Sequence, residues 1–209
     1  MTHFDDADRD LVQSSRKGDF AAFEMLVRRH EQRIFSLAMR IVRQRQDAEE
    51  VVQQTFLSVV EKLAGFREES LFATWVTRIA TNHALLLLRR RARHHTVPLS
   101  DDHNGDRYDD IPHPEYIAQW RETPEQIASR HETRQLLSEA LDQLEEKYRL
   151  VFLLRDVEGF STEETATMLN IGISNVKVRL LRARLMLREH LTRQFGDDST
   201  RVSPDHKHE

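Results

Sequence analysis

The sequence contains no cysteine, which excludes disulfide bonds, thiolate metal sites and a cysteine nucleophile, and fits a reducing compartment. Glycine and proline are scarce, 6 and 5 residues among 209, so there is little turn chemistry for a many-stranded sheet and long helices are expected. No apolar run exceeds that of Ala84 to Leu88, far too short to cross a bilayer. The acidic stretch Met1 to Asp10 has neither the basic start nor the apolar core of a signal peptide, and a cytoplasmic protein is expected. A Walker-type glycine loop is also missing, so nucleotide hydrolysis is not expected.

Hydrophobic residues make up 39% and charged residues 32% of the chain, with a formal net charge of −4. That average hides segregation. Arg89, Arg90, Arg91 and Arg93 form one basic knot, and Lys177, Arg179, Arg182, Arg184 and Arg188 lie along a second segment. Between them run Asp101, Asp102, Asp106, Asp109, Asp110, Glu115, Glu122 and Glu125. Two cationic sites on an acidic connector point to nucleic acid, not to a uniformly basic coat.

Apolar periodicity divides the chain. From Phe20, the residues Phe23, Leu26, Val27, His30, Ile34, Leu37, Ala38, Ile41 and Val42 recur at helical spacing, predicting an amphipathic helix. Asp47 and Glu50 read as a capping box opening a second helix through Ala48, Val51, Val52, Thr55, Phe56, Val59 and Val60 to about Leu63. Gly65 breaks it, and a third pattern, Phe72, Val76, Ile79, Ala80, His83 and Leu87, runs into the arginine knot. Three such helices can cover one another's apolar stripes, so residues 1–95 are expected to form one helical bundle.

In residues 96–125 the periodicity vanishes among prolines and acids, the pattern of a flexible linker. Residues 126–195 are expected to be a second helical domain, with Ile127, Leu136, Leu137, Leu141 and Leu144, then Leu150, Val151, Leu153 and Leu154 up to Gly159. Ser161 with Glu164 makes a second capping box, the short helix it opens stops at Asn170-Ile171-Gly172, and Ser174 is placed to cap a final helix to about Leu191. That is a helix-turn-helix pattern. The polar tail 196–209 is expected to be disordered. The fold class is therefore all-α, two small helical domains joined by an acidic linker.

On the final helix Val176, Leu180, Ala183, Leu187 and Leu191 share a face that should pack inward. Asn175, Arg179 and Arg182 then fall on one flank, and Lys177 and Arg184 on the other, which suits a groove and its phosphate walls. A solvated face is the plainer account of an isolated charge run. The capped helix and glycine turn ahead of this one place it where a helix-turn-helix presents its reader. The helix ending in Arg89 to Arg93 also carries Trp75, Arg78 and Asn82. Aromatic and cationic groups together suit unpaired bases, although the arginines also suit a helix C-terminus and Trp75 reads more readily as a core residue.

The stretch Phe23 to Arg93, with DAEEVVQQTF from Asp47 and FATWVTRIATNHALLLLRRR from Phe72, resembles region 2 of sigma-70-type factors, particularly the small extracytoplasmic-function, stress-response group. LDQLEEKYRLVFLLRDVEGFSTEETATMLNIGISNVKVRLLRARLMLREHL, from Leu141 to Leu191, resembles region 4 of the same group. The resemblance implies that Asp47, Glu50, Gln53, Gln54 and Phe56 meet the clamp of the largest subunit of core RNA polymerase, whose flap is a further expected contact. It implies that Arg67, Ser70, Trp75, Arg78, Asn82, Arg89, Arg90, Arg91 and Arg93 engage the −10 element and its opened strand. Ser174, Asn175, Lys177, Arg179, Arg182 and Arg184 would enter the −35 element. Promoter DNA and a regulatory anti-sigma factor, often membrane-bound, are the implied partners of a chain that is monomeric when free, is no enzyme and takes no metal or cofactor.

Two other readings stay open on the residues alone. An ordinary helix-turn-helix regulator would bind duplex DNA as a dimer without polymerase. A histidine metal hydrolase is suggested by 11 His, among them His94, His95, His206 and His208, though these lie off any rigid scaffold.

Overall fold

The computed structural model describes residues 7–94 and 131–196, without the side chains of residues 93, 94, 131–135 and 194. The expected linker and the tail after Gly196 lie outside what is described, and with them His95, His206 and His208 and the side chains of Arg93 and His94. The elements are helices, in two compact units, Met1–Asp101 and Asp102–Glu209.

In the first unit α1 (Arg9–Arg16) precedes the three expected helices, α2 (Phe20–Val42), α3 (Arg45–Lys62) and α4 (Phe72–His94). Sequence periodicity did not predict α1, which is too short to show a repeat. It is tied down instead by Val12, which is buried, and by Asp8 just ahead of it. The Asp8 carboxylate lies 2.7 Å from His30 Nε2 on α2 and also accepts from Arg29. Gly18 turns the chain with φ 92°, a conformation that L side chains avoid. Asp19 then caps α2 by accepting from the Ala22 amide at 3.1 Å.

Leu26, Ile34, Ile41, Val51, Val59, Phe72 and Val76 are all but sealed from solvent in the middle of the three long helices. Each fully buried side chain of this kind contributes about 1.5–3 kcal/mol, whereas exposed pairs one helical turn apart, such as Arg45 with Glu49, are worth about 0.3–0.5 kcal/mol. Packing, not surface charge, therefore holds the bundle. Threonine is tolerated inside this bundle because Thr55, Thr77 and Thr81 donate to the carbonyls of Val51, Ala73 and Thr77, so none of these three hydroxyls is left unmet.

The expected capping box at Asp47 and Glu50 is not formed. α3 starts earlier, with Gln44 at its N-cap and no side-chain cap. Asp47 instead pairs with Arg91 at the far end of α4.

The second unit holds α5 (His131–Gln143), α6 (Glu146–Phe152) continuing through a π turn at Leu153–Val157, α7 (Thr162–Leu169) and α8 (Ile173–Phe195). The Ser161–Glu164 capping box is present in both directions, at 3.1 and 2.7 Å. α7 stops as predicted, with Asn170 left-handed at φ 56°. Ser174, however, does not cap α8. Gly172 holds that place, and Ser174 lies exposed in the first turn. One core cluster joins Ala140, Leu144 and Tyr148 to Ala183 and Leu187, and a second joins Val151 and Ala166 to Val176 and Leu180. The helix-turn-helix pair α7–α8 is thereby fixed on α5 and α6.

Candidate nucleic-acid interface

On α8 the core positions fall as the pattern required, with Val176, Leu180, Ala183 and Leu187 buried and Leu191 half-buried. Opposite them Ser174, Lys177, Leu181, Arg184 and Arg188 are exposed, alternating in steps of three and four, so they form one outward stripe. Asn175 and Arg179 sit half-buried at its edge.

Arg182 departs from the expected flank. It is 5% exposed, and its Nη1 donates to the Tyr148 hydroxyl at 3.0 Å. Tyr148 belongs to the α5–α6 core cluster, so the guanidinium stitches α8 to its scaffold rather than facing a groove. Arg184 is exposed but already engaged, donating to both Asp156 carboxylate oxygens at 2.8 and 2.7 Å. That hydrogen bonding raises its pKa above the ordinary arginine value, against a smaller opposing effect of burial. DNA phosphate reaching Arg184 must compete with Asp156, whereas Lys177 and Arg188 already face solvent.

In the first unit Trp75 is half-buried and stacks on Phe66, ring centroids 4.8 Å apart at 29°. Phe72 lies 5.8 Å from Trp75 and 5.4 Å from the His30 ring. The two sequence readings of Trp75 meet here, since the indole is both packed and partly open. At the helical repeat, Trp75, Arg78, Asn82 and Arg89 share one face of α4, with the exposed Leu86 among them. Asn82 and Arg90 are exposed, and Arg78 and Arg89 half-buried. Arg67 is exposed and Ser70 half-buried in the loop leading to α4.

Arg91, further along α4, projects from the side of the helix opposite Asn82. It reaches Asp47, the Gln44 side-chain oxygen and the Val42 carbonyl, which ties the end of α4 to the α2–α3 junction. It therefore does not join the other arginines on the α4 stripe, and Asp47 is half-buried as its partner.

α3 turns Glu50, Gln53 and Gln54 outward as expected, but Phe56 is 9% exposed and faces the core. The outward face continues instead through Leu57 and Val60, 51% and 56% exposed. Val60 was expected inside. Its neighbour in register on the buried side, Val59, takes that place, and helical spacing alone could not choose between adjacent valines. On the α3–α4 seam Ser58 Oγ lies 2.9 Å from His83 Nε2, and burial, then Lys62 and Arg90, push the His83 pKa down.

Sequence reasoning missed the residues that close the loop between α3 and α4. Arg16 and Arg9 on α1 both reach Glu68 there. Their signal was faint, an arginine beside Lys17 and Gly18 in a segment with too little periodicity to mark a helix. Among the described residues no group of three or more His, Asp or Glu is placed to hold a metal ion, and no described helix is long and apolar enough to cross a membrane.

Two family descriptions match the chain, Sigma-70 region 2 over residues 26–94 and Sigma-70 region 4 over residues 134–187. The chain is 33% identical over 177 residues to the RNA polymerase sigma-H factor of Pseudomonas aeruginosa, covering 85% of this chain and 90% of that relative. It is 31% identical over 183 residues to the ECF RNA polymerase sigma-E factor of Haemophilus influenzae, covering 86% and 93%. Among solved structures, the sigma factor RpoE of Bartonella quintana, in complex with the anti-sigma factor NepR, aligns at a TM-score of 0.52 and 25% identity over 83% of this chain and 97% of that one.

Proposed function

The chain belongs to the sigma-70 family, in its extracytoplasmic-function group of promoter-specific initiation factors, and from that premise we propose how its surfaces divide the task. The α8 stripe of Ser174, Lys177, Leu181, Arg184 and Arg188, with Asn175 and Arg179 beside it, enters the major groove at the −35 element. Side chains near the helix start meet bases and the later cations meet phosphate. In the first unit Trp75, Arg78, Asn82 and Arg89, with Arg67 and Ser70 of the adjoining loop, receive the unpaired −10 strand. Cations there track its phosphates and an aromatic platform takes a base. Arg90 lies beside this face and Arg91 braces it.

Glu50, Gln53, Gln54, Leu57 and Val60 on α3 form the core polymerase face, where a mixed apolar and polar surface suits a protein partner. Strand opening is driven by binding free energy, so the chain performs no catalysis of its own and acts in the cytoplasm as a monomer until it joins core polymerase. An anti-sigma factor as regulator is supported by the Bartonella quintana RpoE, which was solved with one.

The observation that carries this reading is the pairing of an outward cationic helix-turn-helix stripe in one unit with an aromatic and cationic helix face in the other. Purified protein added to core polymerase should give transcripts from discrete start sites on genomic fragments, and none from core alone. DNA binding without polymerase, as a dimer on palindromic sites and with no transcript, would overturn it.

A further inference from the structure

Between α3 and α4 the chain passes through a 3-10 turn, Leu63–Gly65, and then an irregular stretch to Leu71. Glu68 within it has φ 56°. An L residue enters that left-handed region against steric resistance and stays there only when its surroundings hold it, a pattern found at working sites. Here the hold comes from α1. Arg16 Nε donates to the Leu63 carbonyl at 3.1 Å, Nη2 donates to the Phe66 carbonyl, and Nη1 donates to Glu68 Oε1 at 2.9 Å. The guanidinium also lies over the Phe66 ring, 5.8 Å from its centroid, and Arg9 Nε is 3.5 Å from the other Glu68 oxygen.

We propose that Arg16 is a positioning residue for strand capture, holding the Leu63–Leu71 loop in the one shape that presents Arg67 and the Trp75 indole, backed by the buried Phe66, to the opened −10 strand. This rests on the −10 reading above. Each of the three nitrogens of one planar group meets a different point of the loop, a bracing that lysine, with a single ammonium, cannot reproduce. Phe66 is drawn inward onto Trp75 and Glu68 is tied back to α1, while Arg67 between them stays exposed. A loop already in its bound shape spares the complex the ordering entropy that a loose one would lose on binding DNA. Arg16 itself need not touch DNA.

The test uses full-length protein assembled with core polymerase on a promoter fragment drawn from its mapped start sites, with 2-aminopurine in the non-template strand of the −10 element. Fluorescence rises as that base unstacks. Arg16→Ala and Arg16→Lys should slow the rise roughly tenfold, as expected when one or two loop hydrogen bonds go unmade. Assembly with core polymerase and protection of the −35 element should stay unchanged. Glu68→Ala, a loop substitution outside the helices, should act in the same direction and decides the matter if the Arg16 variants do not fold. Opening at the unaltered rate in the folded variants would overturn the proposal, as would an equal loss of polymerase assembly and −35 protection, which would mark a merely structural role. If the unaltered protein itself gave transcripts with no 2-aminopurine rise, the strand-capture reading would fall first and this inference with it.

Discussion

Arg182 and Lys177 stand five residues apart on one helix, and burial alone assigns them opposite tasks. Arg182 is enclosed and bonded to Tyr148, so removing it strands a buried hydroxyl and opens space in the core. Arg182→Ala should lower the stability of the second unit by about 1–3 kcal/mol, the cost of an unmet buried polar partner, as read by thermal denaturation. Lys177→Ala, on the exposed stripe, should leave the melting temperature in place. It should weaken promoter binding alike across sequences and reduce the slope of log affinity against log salt by about 1. A stable Arg182→Ala variant with base-specific binding defects would reverse the assignment. Both residues look the same in the sequence, as cations on a helix. The burial of Arg182 depends on Tyr148, 34 residues away, which no helical periodicity reports.

The seam between α3 and α4 carries a pH dependence. His83 sits against Ser58 with its pKa pushed below the ordinary histidine value by burial and by Lys62 and Arg90. The folded protein therefore binds this proton less readily than the unfolded chain, and stability rises with pH across the interval between the two values. The contribution is fully present above the unfolded value of about 6.5 and is lost as pH falls through the lower, folded value. Denaturant midpoints of the protein should drop on acidification through that window, and His83→Gln should flatten the drop. An unaltered profile in that variant would place the acid sensitivity elsewhere.

Element boundaries show the same dependence on context. Ser161 and Glu164 form the capping box that their spacing predicts. The equally spaced acidic pair Asp47 and Glu50 does not, because Arg91, 44 positions along, takes Asp47 as its ion-pair partner and α3 begins three residues earlier, with Gln44 at its N-cap.

At the scale of the whole molecule a net charge of −4 gives the free chain little long-range attraction to DNA, and each unit offers only a modest cationic face. Two weak contacts become strong when a scaffold holds both at once, since the second then forms at high effective concentration, a gain of about 10²–10⁴. The isolated protein should accordingly bind a cognate promoter at least roughly a hundredfold more weakly than its complex with core polymerase, at equal salt. Fluorescence anisotropy of a labelled fragment measures both. Equal affinities would speak for a self-sufficient DNA-binding protein.

The helical class, the two-part organisation and the helix-turn-helix were written in local information, because period, caps and breakers act within a turn or two of the residues that carry them. Membership of the sigma-70 family was legible for the same reason, in continuous segments. Tertiary structure decided which charges are available. It drew Arg182 and Arg91 into braces, turned Phe56 inward and Leu57 and Val60 outward, and set Arg16 against a loop some 50 residues away. Each of those outcomes depends on a partner distant in sequence, and an ionic or apolar side chain carries no mark of which surface it will meet until the helices have packed.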